Sequence, residues 1–161
     1  MNYRKLEVEN TKSYYNLVNE IKDEEIYLFH SLRFSEESTK EYVNSHNTKG
    51  LPIIGAFSDS ELIGWIDYNI GGFPEIEHTA TIGMGIKKEY RKKGIGFKLM
   101  TMCIENAKSH GVEILELEVF ESNTAGFNLY KKCGFKETGR LIKKRKYKGN
   151  YEDLICMYLE L

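Results

Sequence analysis

Residues 86–96 read IKKEYRKKGIG and stand between a predicted strand and a predicted amphipathic helix. Gly94 and Gly96 allow the backbone to approach a ligand closely and to turn its N–H groups toward it. The start of the helix adds unpaired N–H donors and the positive end of a dipole. Three cationic side chains precede Gly94. The stretch therefore predicts a loop that binds a phosphate-containing ligand, most simply a pyrophosphate.

Two familiar phosphate-binding loops do not fit this stretch. A dinucleotide-binding loop has the pattern G-x-G-x-x-G, and here the residue three positions after Gly96 is Leu99. A P-loop has the pattern G-x-x-x-x-G-K-[ST], which the sequence does not contain. The alternative without a function is a glycine-rich surface loop with solvated lysines.

The elements on either side of the loop predict a parallel strand pair. We expect a strand at 79–86, a second strand at 114–120 after the helix, and then a short helix at 124–132. The connection between the strands is too long for a hairpin, so the two strands must be parallel. The intervening helix is expected to end at Gly111 and to bury an apolar face made of Ile95, Leu99, Met102, Cys103 and Ala107.

The rest of the chain predicts helices and antiparallel hairpins. Two helices are expected before the loop, and Ser35 is a candidate cap for the second one, which should end near Gly50. Together with the strand–helix–strand unit, this order predicts an α/β fold with a mixed sheet. The other expected features are a first strand at 3–8, a helix face of Tyr14, Val18 and Ile21, a hairpin over 53–66, and a final hairpin that turns at 148–150.

Composition narrows the class of protein. The chain has 161 residues and a mass of 18.7 kDa, which is the size of one domain. Its 23 Lys and Arg nearly balance its 24 Asp and Glu, so net charge indicates neither a nucleic acid nor a membrane as partner. The sequence has no apolar run of membrane-spanning length, and its start lacks a signal-peptide core. Its three cysteines are odd in number and widely spaced, which argues against a disulfide framework or a cysteine zinc site. We expect a cytoplasmic protein without a metal.

Two motifs resemble a known family. The spacing of Arg91, Gly94 and Gly96, R-x-x-G-x-G, resembles the acyl-CoA loop of the GCN5-related N-acetyltransferases, the GNAT superfamily. Downstream, a strand ends at Asn123 and Tyr130 follows seven residues later in the short helix, which is similar to the family's second signature. The two motifs stand in the family's order, with one helix and one strand between them.

This resemblance implies the acyl-CoA N-acyltransferase fold. That fold is α/β, with a mixed, mostly antiparallel central sheet, a parallel, splayed strand pair and flanking helices. The resemblance is sharpest over residues 78–161 and weak over residues 1–77. It implies a single domain, 1–161, whose first part is the acceptor side and whose second part binds acetyl-CoA.

The resemblance also implies which residues hold acetyl-CoA, the co-substrate. The strand at 79–86 would bind the pantetheine through its backbone, around a bulge for which Gly83-Met84-Gly85 is suitable. Asn123 would reach the pantetheine, and it can also cap the helix at 124–132. The implied cofactor-binding residues are Met84, Gly85, Ile86, Arg91, Lys92, Lys93, Gly94, Ile95, Gly96, Asn123 and Tyr130.

Tyr130 matches the tyrosine that the family assigns as general acid to the departing CoA sulfur. A phenol with a pKa of about 10 is protonated at neutral pH and can donate its proton. The alternative is a structural side chain of an amphipathic helix, packed beside Phe127.

The general base has several candidates. Several family members carry a glutamate early on the strand at 79–86, and the corresponding position here is Ala80. The run L-E-V-x-x-S-N resembles the ribosomal-protein N-terminal acetyltransferase branch, which implies Glu118 as the base. A carboxylate on an interior strand is costly to bury without a role, and the alternative is a solvent-facing or salt-bridged glutamate. His78 could relay a proton, and water could also accept it.

The expected function is an acetyl-CoA-dependent N-acetyltransferase that moves the acetyl group directly to a primary amine. A covalent cysteine route is not favoured, because Cys103 and Cys133 have no base beside them. The acceptor is a small amine, an amino acid or a protein N-terminus, since the ribosomal-protein and small-amine branches fit about equally. The alternative is a non-catalytic acyl-CoA binding or sensing module, which the missing glutamate at Ala80 would allow.

Three stretches bear on partners. The acidic run 23–25 could attract a cationic amine or could simply be a solvated face. The basic hairpin at 140–148 could contact RNA, but an edge strand protected by lysines is favoured, so nucleic acid is not expected. Residues 154–159, taken as an edge strand, could pair two copies into a homodimer.

Overall fold

The structure is a computed structural model that describes residues 1–28 and 34–161. The strands and helices follow the order predicted from the sequence pattern. Short 3₁₀ turns occur at Val8–Asn10, Pro74–Ile76 and Lys88–Tyr90. The regular elements are β1 (Asn2–Lys5), α1 (Thr11–Asp23), α2 (Glu36–Thr48), β2 (Ile54–Ser58), β3 (Glu61–Ile70), β4 (Thr79–Ile86), α3 (Ile95–Ser109), β5 (Ile114–Phe120), α4 (Thr124–Lys132), β6 (Lys136–Tyr147) and β7 (Asn150–Glu160).

The strands form one mixed sheet in the order β1-β2-β3-β4-β5-β7-β6. The β4–β5 pair is parallel, as the long crossover through α3 requires, and it joins residues 79–81 to residues 114–116. The pairs β1–β2, β2–β3, β5–β7 and β6–β7 are antiparallel. The expected fold class, a mostly antiparallel α/β sheet with one parallel pair, is confirmed.

The order of the strands corrects the expectation for residues 154–159. This segment belongs to β7, which pairs with β5 on one side and with β6 on the other. Its backbone N–H and C=O groups are therefore used inside the sheet and are not an edge for a second copy. The basic segment 140–148 falls mainly in β6, which is an edge strand of the sheet as predicted.

The chain divides into two compact units. The first unit contains residues 1–69 and 83–103, and the second contains residues 70–82 and 104–161. Among the helices of residues 1–28 and 34–161, none is both long and apolar enough to cross a membrane.

The core of the first unit explains its helices. The residues predicted to share a face of α1 are all buried, and they pack with side chains of α2, β2 and β3. Ser35 caps α2 as predicted, since its hydroxyl accepts a hydrogen bond from the Ser38 N–H at 3.0 Å. The cluster consists of Leu6, Tyr14, Leu17, Val18, Ile21, Val43, Ile53, Phe57, Leu62 and Trp65.

One predicted strand boundary and one predicted helix face are wrong in detail. The first strand ends at Lys5 rather than at residue 8, because the chain turns into a 3₁₀ helix at Val8. On α3, Met100 is fully buried whereas Met102 is half-buried. Met100 lies three and seven residues before the buried positions 103 and 107, which is the spacing of one helix face.

The glycines of β4 in the first unit are explained by their neighbours on β3. A Cβ added to Gly85 would lie 2.4 Å from two ring atoms of Trp65, and one added to Gly83 would lie 3.0 Å from Asp67 Oδ1. The Lys87 N–H donates to the Ile63 carbonyl at 2.8 Å, which follows the same register. The bulge expected at Gly83–Gly85 is therefore not found between these contacts, and the glycines instead allow close packing.

In the second unit, β5 has the predicted alternation. Leu115, Leu117 and Val119 are buried, whereas Glu116 and Glu118 are exposed. The α4 helix spans Thr124–Lys132, as expected from the sequence.

We predict that the substitution Gly85→Ala destabilises the protein by about 1–3 kcal/mol, because the new methyl group would overlap the Trp65 ring. Urea unfolding would measure the change. Gly72→Ala is the matched control, since no heavy atom lies within 4 Å of its added Cβ, and its effect should stay within about 0.5 kcal/mol. Equal effects for the two substitutions would contradict this packing account.

Candidate active site

The loop before α3 has the geometry of an anion site. Lys92 and Gly94 have φ angles of +60° and +80°, and they turn the backbone so that α3 begins at Ile95. The Gly94 carbonyl accepts the Lys98 N–H at 3.1 Å, which closes the first helical turn. The N–H groups of the first turn of a helix have no partner within the helix, and the helix dipole favours negative charge at this end.

Two lysines of the loop have exposed side chains. Lys92 and Lys93 are exposed, and the Lys93 ammonium lies 5.0 Å from the centre of the Tyr90 ring. Ile95 and Gly96 are buried, which fixes the start of the helix against the body of the first unit. The expected cationic loop at a helix start is thus present.

Arg91 has a different position from these lysines. Its Nη1 and Nη2 atoms donate to the two carboxylate oxygens of Glu24 at 2.7 and 2.5 Å, and its Nε donates to the Ile86 carbonyl at 2.8 Å. The Tyr27 ring centre lies 4.6 Å from its guanidinium carbon. Burial lowers the pKa of Arg91 and its pairing with Glu24 raises it, with a net rise. The guanidinium charge is balanced within the protein.

This pair also bears on the acidic run 23–25. The Glu24 side chain is 18% exposed and is engaged by Arg91. The expectation of a simply solvated face is therefore wrong at Glu24, and so is that of a carboxylate free to bind an amine.

Met84, Gly85 and Ile86, the last residues of β4 before the loop, are half-buried. One face of Gly85 is covered by Trp65, so alternation along the strand places the side chains of Met84 and Ile86 on the opposite face. The Ile86 carbonyl accepts a hydrogen bond from Arg91 Nε at 2.8 Å.

In the second unit, Asn123 caps α4. Its Oδ1 accepts the Gly126 N–H at 2.9 Å, so the predicted capping role is confirmed, and a ligand contact would fall to its Nδ2. A Cβ added to Gly126 would lie 2.7 Å from that Nδ2. Gly126 is thus a positioning residue that the sequence reasoning missed, although the spacing N-x-x-G marked it.

Tyr130 lies in α4 and is 9% exposed. Its ring centre is 6.1 Å from that of Phe135, at an interplanar angle of 59°. Burial, together with the nearby Cys133 thiol, raises the pKa of Tyr130 to about 12. The hydroxyl is therefore protonated throughout the neutral and moderately alkaline range.

The turn before Asn123 is held by an ion pair that the sequence did not reveal. Glu152 Oε1 accepts the Ser122 N–H at 2.9 Å, and Glu152 Oε2 accepts Arg145 Nε at 2.8 Å. Arg145 is 8% exposed, and its guanidinium carbon lies 3.8 Å from the Phe120 ring centre. The sequence predicted Arg145 to be a solvated side chain of an edge strand. It is instead buried, and it supports this turn.

Comparisons with known proteins agree with this geometry. The model of the acetyltransferase (GNAT) family matches residues 14–135, which include both motifs. The chain is 32% identical over 119 residues to the spermidine N(1)-acetyltransferase of Thermoplasma acidophilum, covering 71% of each chain. It is 33% identical over 108 residues to the N-alpha-acetyltransferase of Sulfurisphaera tokodaii, covering 62% of this chain and 63% of that one.

The chain belongs to the acetyltransferase (GNAT) family. It is therefore an acetyltransferase. A solved structure of the same fold is the GNAT superfamily phosphinothricin acetyltransferase from Sinorhizobium meliloti in complex with acetyl-CoA. It superposes with a TM-score of 0.92 at 16% identity, covering 99% of this chain and 88% of that one.

Within this acetyltransferase, the base candidates occupy different environments. Glu118 is exposed on β5 and lies opposite Cys156 on β7, so the burial cost that favoured a role for it does not apply. Burial and the charges of Glu118 and Glu116 raise the pKa of Cys156.

The His78 carbonyl accepts from the N–H groups of residues 113 and 114, which places His78 at the N-terminal end of β5. Asn123 follows the other end of that strand, roughly 23 Å along it. Ala80 is 1% exposed, so a carboxylate there would be buried.

The first unit of the acetyltransferase contains a buried carboxylate that the sequence reasoning missed. Asp67 is 4% exposed, and its two oxygens accept hydrogen bonds from Tyr42 at 3.0 Å and Tyr14 at 3.2 Å. Burial raises the pKa of Asp67, and His46 with the hydroxyl donors partly offsets that rise. His46 is itself buried, and its ring nitrogens lie 3.1 and 3.3 Å from the carbonyl oxygens of residues 42 and 68. The signal in the sequence that could have revealed this carboxylate is a polar residue, Asp67, at a position of β3 that faces inward.

We predict that Asn123→Asp and Asn123→Ala separate the capping role from a ligand role. Asp retains an oxygen that can cap α4, so the free energy of unfolding should change by less than about 0.5 kcal/mol, whereas Ala should cost about 1 kcal/mol. Both variants lack Nδ2 and should bind acetyl-CoA more weakly by calorimetry. Wild-type affinity in Asn123→Asp would exclude the ligand role.

We predict that the contribution of Tyr130 to kcat is constant between pH 7 and 10. Because its pKa is raised to about 12, its hydroxyl stays protonated in this range, and the stability that comes from the neutral phenol is lost only as pH rises from about 10 through 12. The ratio of wild-type kcat to that of Tyr130→Phe would be measured at each pH. A ratio that falls with a midpoint near pH 8 would contradict the buried phenol.

Proposed function

We propose that this acetyltransferase moves the acetyl group of acetyl-CoA directly to a primary amine. The neutral amine nitrogen attacks the thioester carbonyl carbon, the carbon–sulfur bond of the tetrahedral intermediate breaks, and the products are an amide and the CoA thiol. The amine gives up one proton and the thiolate takes up one proton, so the reaction needs no redox partner and no metal. The observation that carries the proposal is the cationic loop that turns at Gly94 into the start of α3.

The proposed contacts with acetyl-CoA follow the environments of the residues. The pyrophosphate would be held by the N–H groups at Gly94, Ile95 and Gly96, with Lys92 and Lys93 adding positive charge. The backbone of Met84, Gly85 and Ile86 would bind the pantetheine, together with Nδ2 of Asn123. Arg91 is paired with Glu24 and is not assigned a contact with the pyrophosphate.

Tyr130 is proposed to act on the departing sulfur. A free thiol has a pKa of about 8.5, well below the value of about 12 for Tyr130. Complete transfer of the proton from the Tyr130 phenol to the thiolate is therefore unfavourable. Its main contribution is a hydrogen bond donated to the thiolate as the carbon–sulfur bond breaks, and loss of such a group costs about 10²-fold or more in kcat.

The acceptor is proposed to be a small amine, an amino acid or a protein N-terminus. One relative is named for spermidine and another for N-alpha acetylation, and in each case the acceptor is an amine. The base is proposed to be water or Glu118, because Glu118 is exposed and can reach bulk solvent. A non-catalytic sensing module is not favoured, since the relatives are named as enzymes.

The proposed location is the cytoplasm. The three cysteines are free, and their spacing in the sequence fits a reducing compartment.

The test of the proposed function is calorimetric titration of acetyl-CoA into the wild type, Gly94→Glu and Gly111→Glu. Gly94 and Gly111 have φ angles of +80° and +76°, and both have open space around an added Cβ, so the two variants carry the same backbone strain. Gly94→Glu should lose binding by at least 10-fold because its carboxylate opposes the pyrophosphate, whereas Gly111→Glu should bind like the wild type.

The binding test is followed by a screen of amines for release of the CoA thiol. Spermidine, free amino acids and a peptide with an alanine N-terminus represent the three acceptor classes. Wild-type protein that is folded and binds no acetyl-CoA would exclude the proposal, and equal loss in both glycine variants would show that backbone strain, not the loop, is responsible.

A further inference from the structure

The guanidinium of Arg91 is engaged in three directions at once. It donates from both Nη atoms to one carboxylate, that of Glu24, and from Nε to the Ile86 carbonyl. In the third direction, its guanidinium carbon lies 4.6 Å from the centre of the Tyr27 ring. The side chains of Arg91 and Glu24 are 23% and 18% exposed, so the pair is largely shielded from water. Such a planar, bidentate pair fixes geometry more strongly than a single-point contact.

These contacts connect two ends of secondary structure within the first unit. Ile86 is the last residue of β4, and Glu24 is the residue that directly follows α1. The Glu24 N–H donates to the Ile21 carbonyl at 3.3 Å, so the position of its backbone is set by the last turn of α1. Arg91 sits in the middle of the connection between β4 and α3 and attaches it at both of these points.

The charges argue against a direct phosphate contact by this guanidinium. Three of its five N–H donors already have acceptors, and a pyrophosphate on the Nη side would lie beside the Glu24 carboxylate. Releasing Arg91 would leave Glu24 shielded and unpaired beside a dianion, which is costly. The exposed Lys92 and Lys93 meet no such competition.

We propose that Arg91 is a positioning residue of the acetyl-CoA site, and that the carboxylate of Glu24 is required for this anionic ligand to bind. The pair holds the connection between β4 and α3 so that the N–H groups at Gly94–Gly96 face the pyrophosphate. The identity of the ligand in this inference rests on the proposed function. The positioning of the loop rests only on the pair of Arg91 and Glu24.

The two possible roles of Arg91 predict opposite signs for the substitution Glu24→Gln. If Arg91 were a phosphate ligand, removing the competing carboxylate would free it, and acetyl-CoA would bind more tightly. If Arg91 positions the loop, the substitution loosens the loop, and acetyl-CoA should bind about 10-fold more weakly. Glu89→Gln is the matched control, because it removes one exposed negative charge from the same connection and should not weaken binding.

Calorimetry with acetyl-CoA measures these affinities, and thermal unfolding checks that each variant is folded. The exchanged pair Glu24→Arg with Arg91→Glu should recover affinity relative to Arg91→Glu alone, since a carboxylate and a guanidinium again face each other. Tighter binding by Glu24→Gln, or no recovery in the exchanged pair, would overturn the proposal.

A second measurement does not depend on the ligand. Amide hydrogen exchange of the unliganded protein should be at least about 5-fold faster at Gly94–Phe97 in Glu24→Gln than in Glu89→Gln. Unchanged exchange would overturn the positioning role even if acetyl-CoA binds. If exchange rises as expected but the wild type binds no acetyl-CoA, the proposed function and the Glu24 ligand requirement fail, whereas the positioning of the loop by the pair stands.

Discussion

Two side chains of β3 occupy the space that side chains on β4 would need, and the first unit depends on this contact. Trp65 lies against the Cα atom of Gly85, and Asp67 lies against that of Gly83. Because Gly85 has no Cβ, the backbone of β4 can approach the Trp65 ring of β3 and the side chain of Ile21 in α1 closely. The two tyrosine hydroxyls that hold Asp67 come from α1 and α2, so helix packing and strand position are set by the same few groups.

The environment of the Asp67 carboxylate follows from the same contact. Asp67 is buried, and an unpaired carboxylate there would be unfavourable. The ring nitrogens of His46 lie 3.1 and 3.3 Å from the carbonyl oxygens of residues 42 and 68, beside the same strand. The carboxylate thus serves packing, and its two oxygens are already occupied by tyrosine hydroxyls.

Each unit also uses one shielded carboxylate–guanidinium pair to fix a turn. In the first unit the pair is Glu24 with Arg91, which holds the connection after β4. In the second unit it is Glu152 with Arg145, which holds the turn at Ser122. Each pair also forms a hydrogen bond with a backbone group, the Ile86 carbonyl in the first unit and the Ser122 N–H in the second. Such a bond fixes the local backbone and therefore the direction of the neighbouring N–H groups. Shielded pairs of this kind are weak evidence for stability but good evidence for geometry.

The sequence predicted what depends on local pattern. Apolar periodicity located the helices and strands, and the spacing of Gly94 and Gly96 located the loop, because these signals lie within one or two turns of chain. Glu24 and Arg91 are 67 residues apart, and their pairing is decided by the packing of α1 beside β4, which no local pattern contains. The interior position of β7 likewise depends on strand order rather than on strand composition. The division into acceptor and acetyl-CoA halves stays a prediction.

The environments of the carboxylates limit how the acceptor amine loses its proton. A base must have a path to the amine, whereas the Asp67 carboxylate is buried and each of its oxygens accepts a hydrogen bond from a tyrosine hydroxyl. Ala80 offers no titratable group, and His78 lies at the far end of β5 from Asn123. Glu118 is exposed on the same face of β5 as Glu116, and the family resemblance selects Glu118 of the two. An exposed carboxylate exchanges protons with solvent readily, so whether the proton passes through Glu118 or directly to water, it leaves by the same route. The proposed transfer therefore depends more on holding the thioester and its leaving sulfur than on a dedicated buried base.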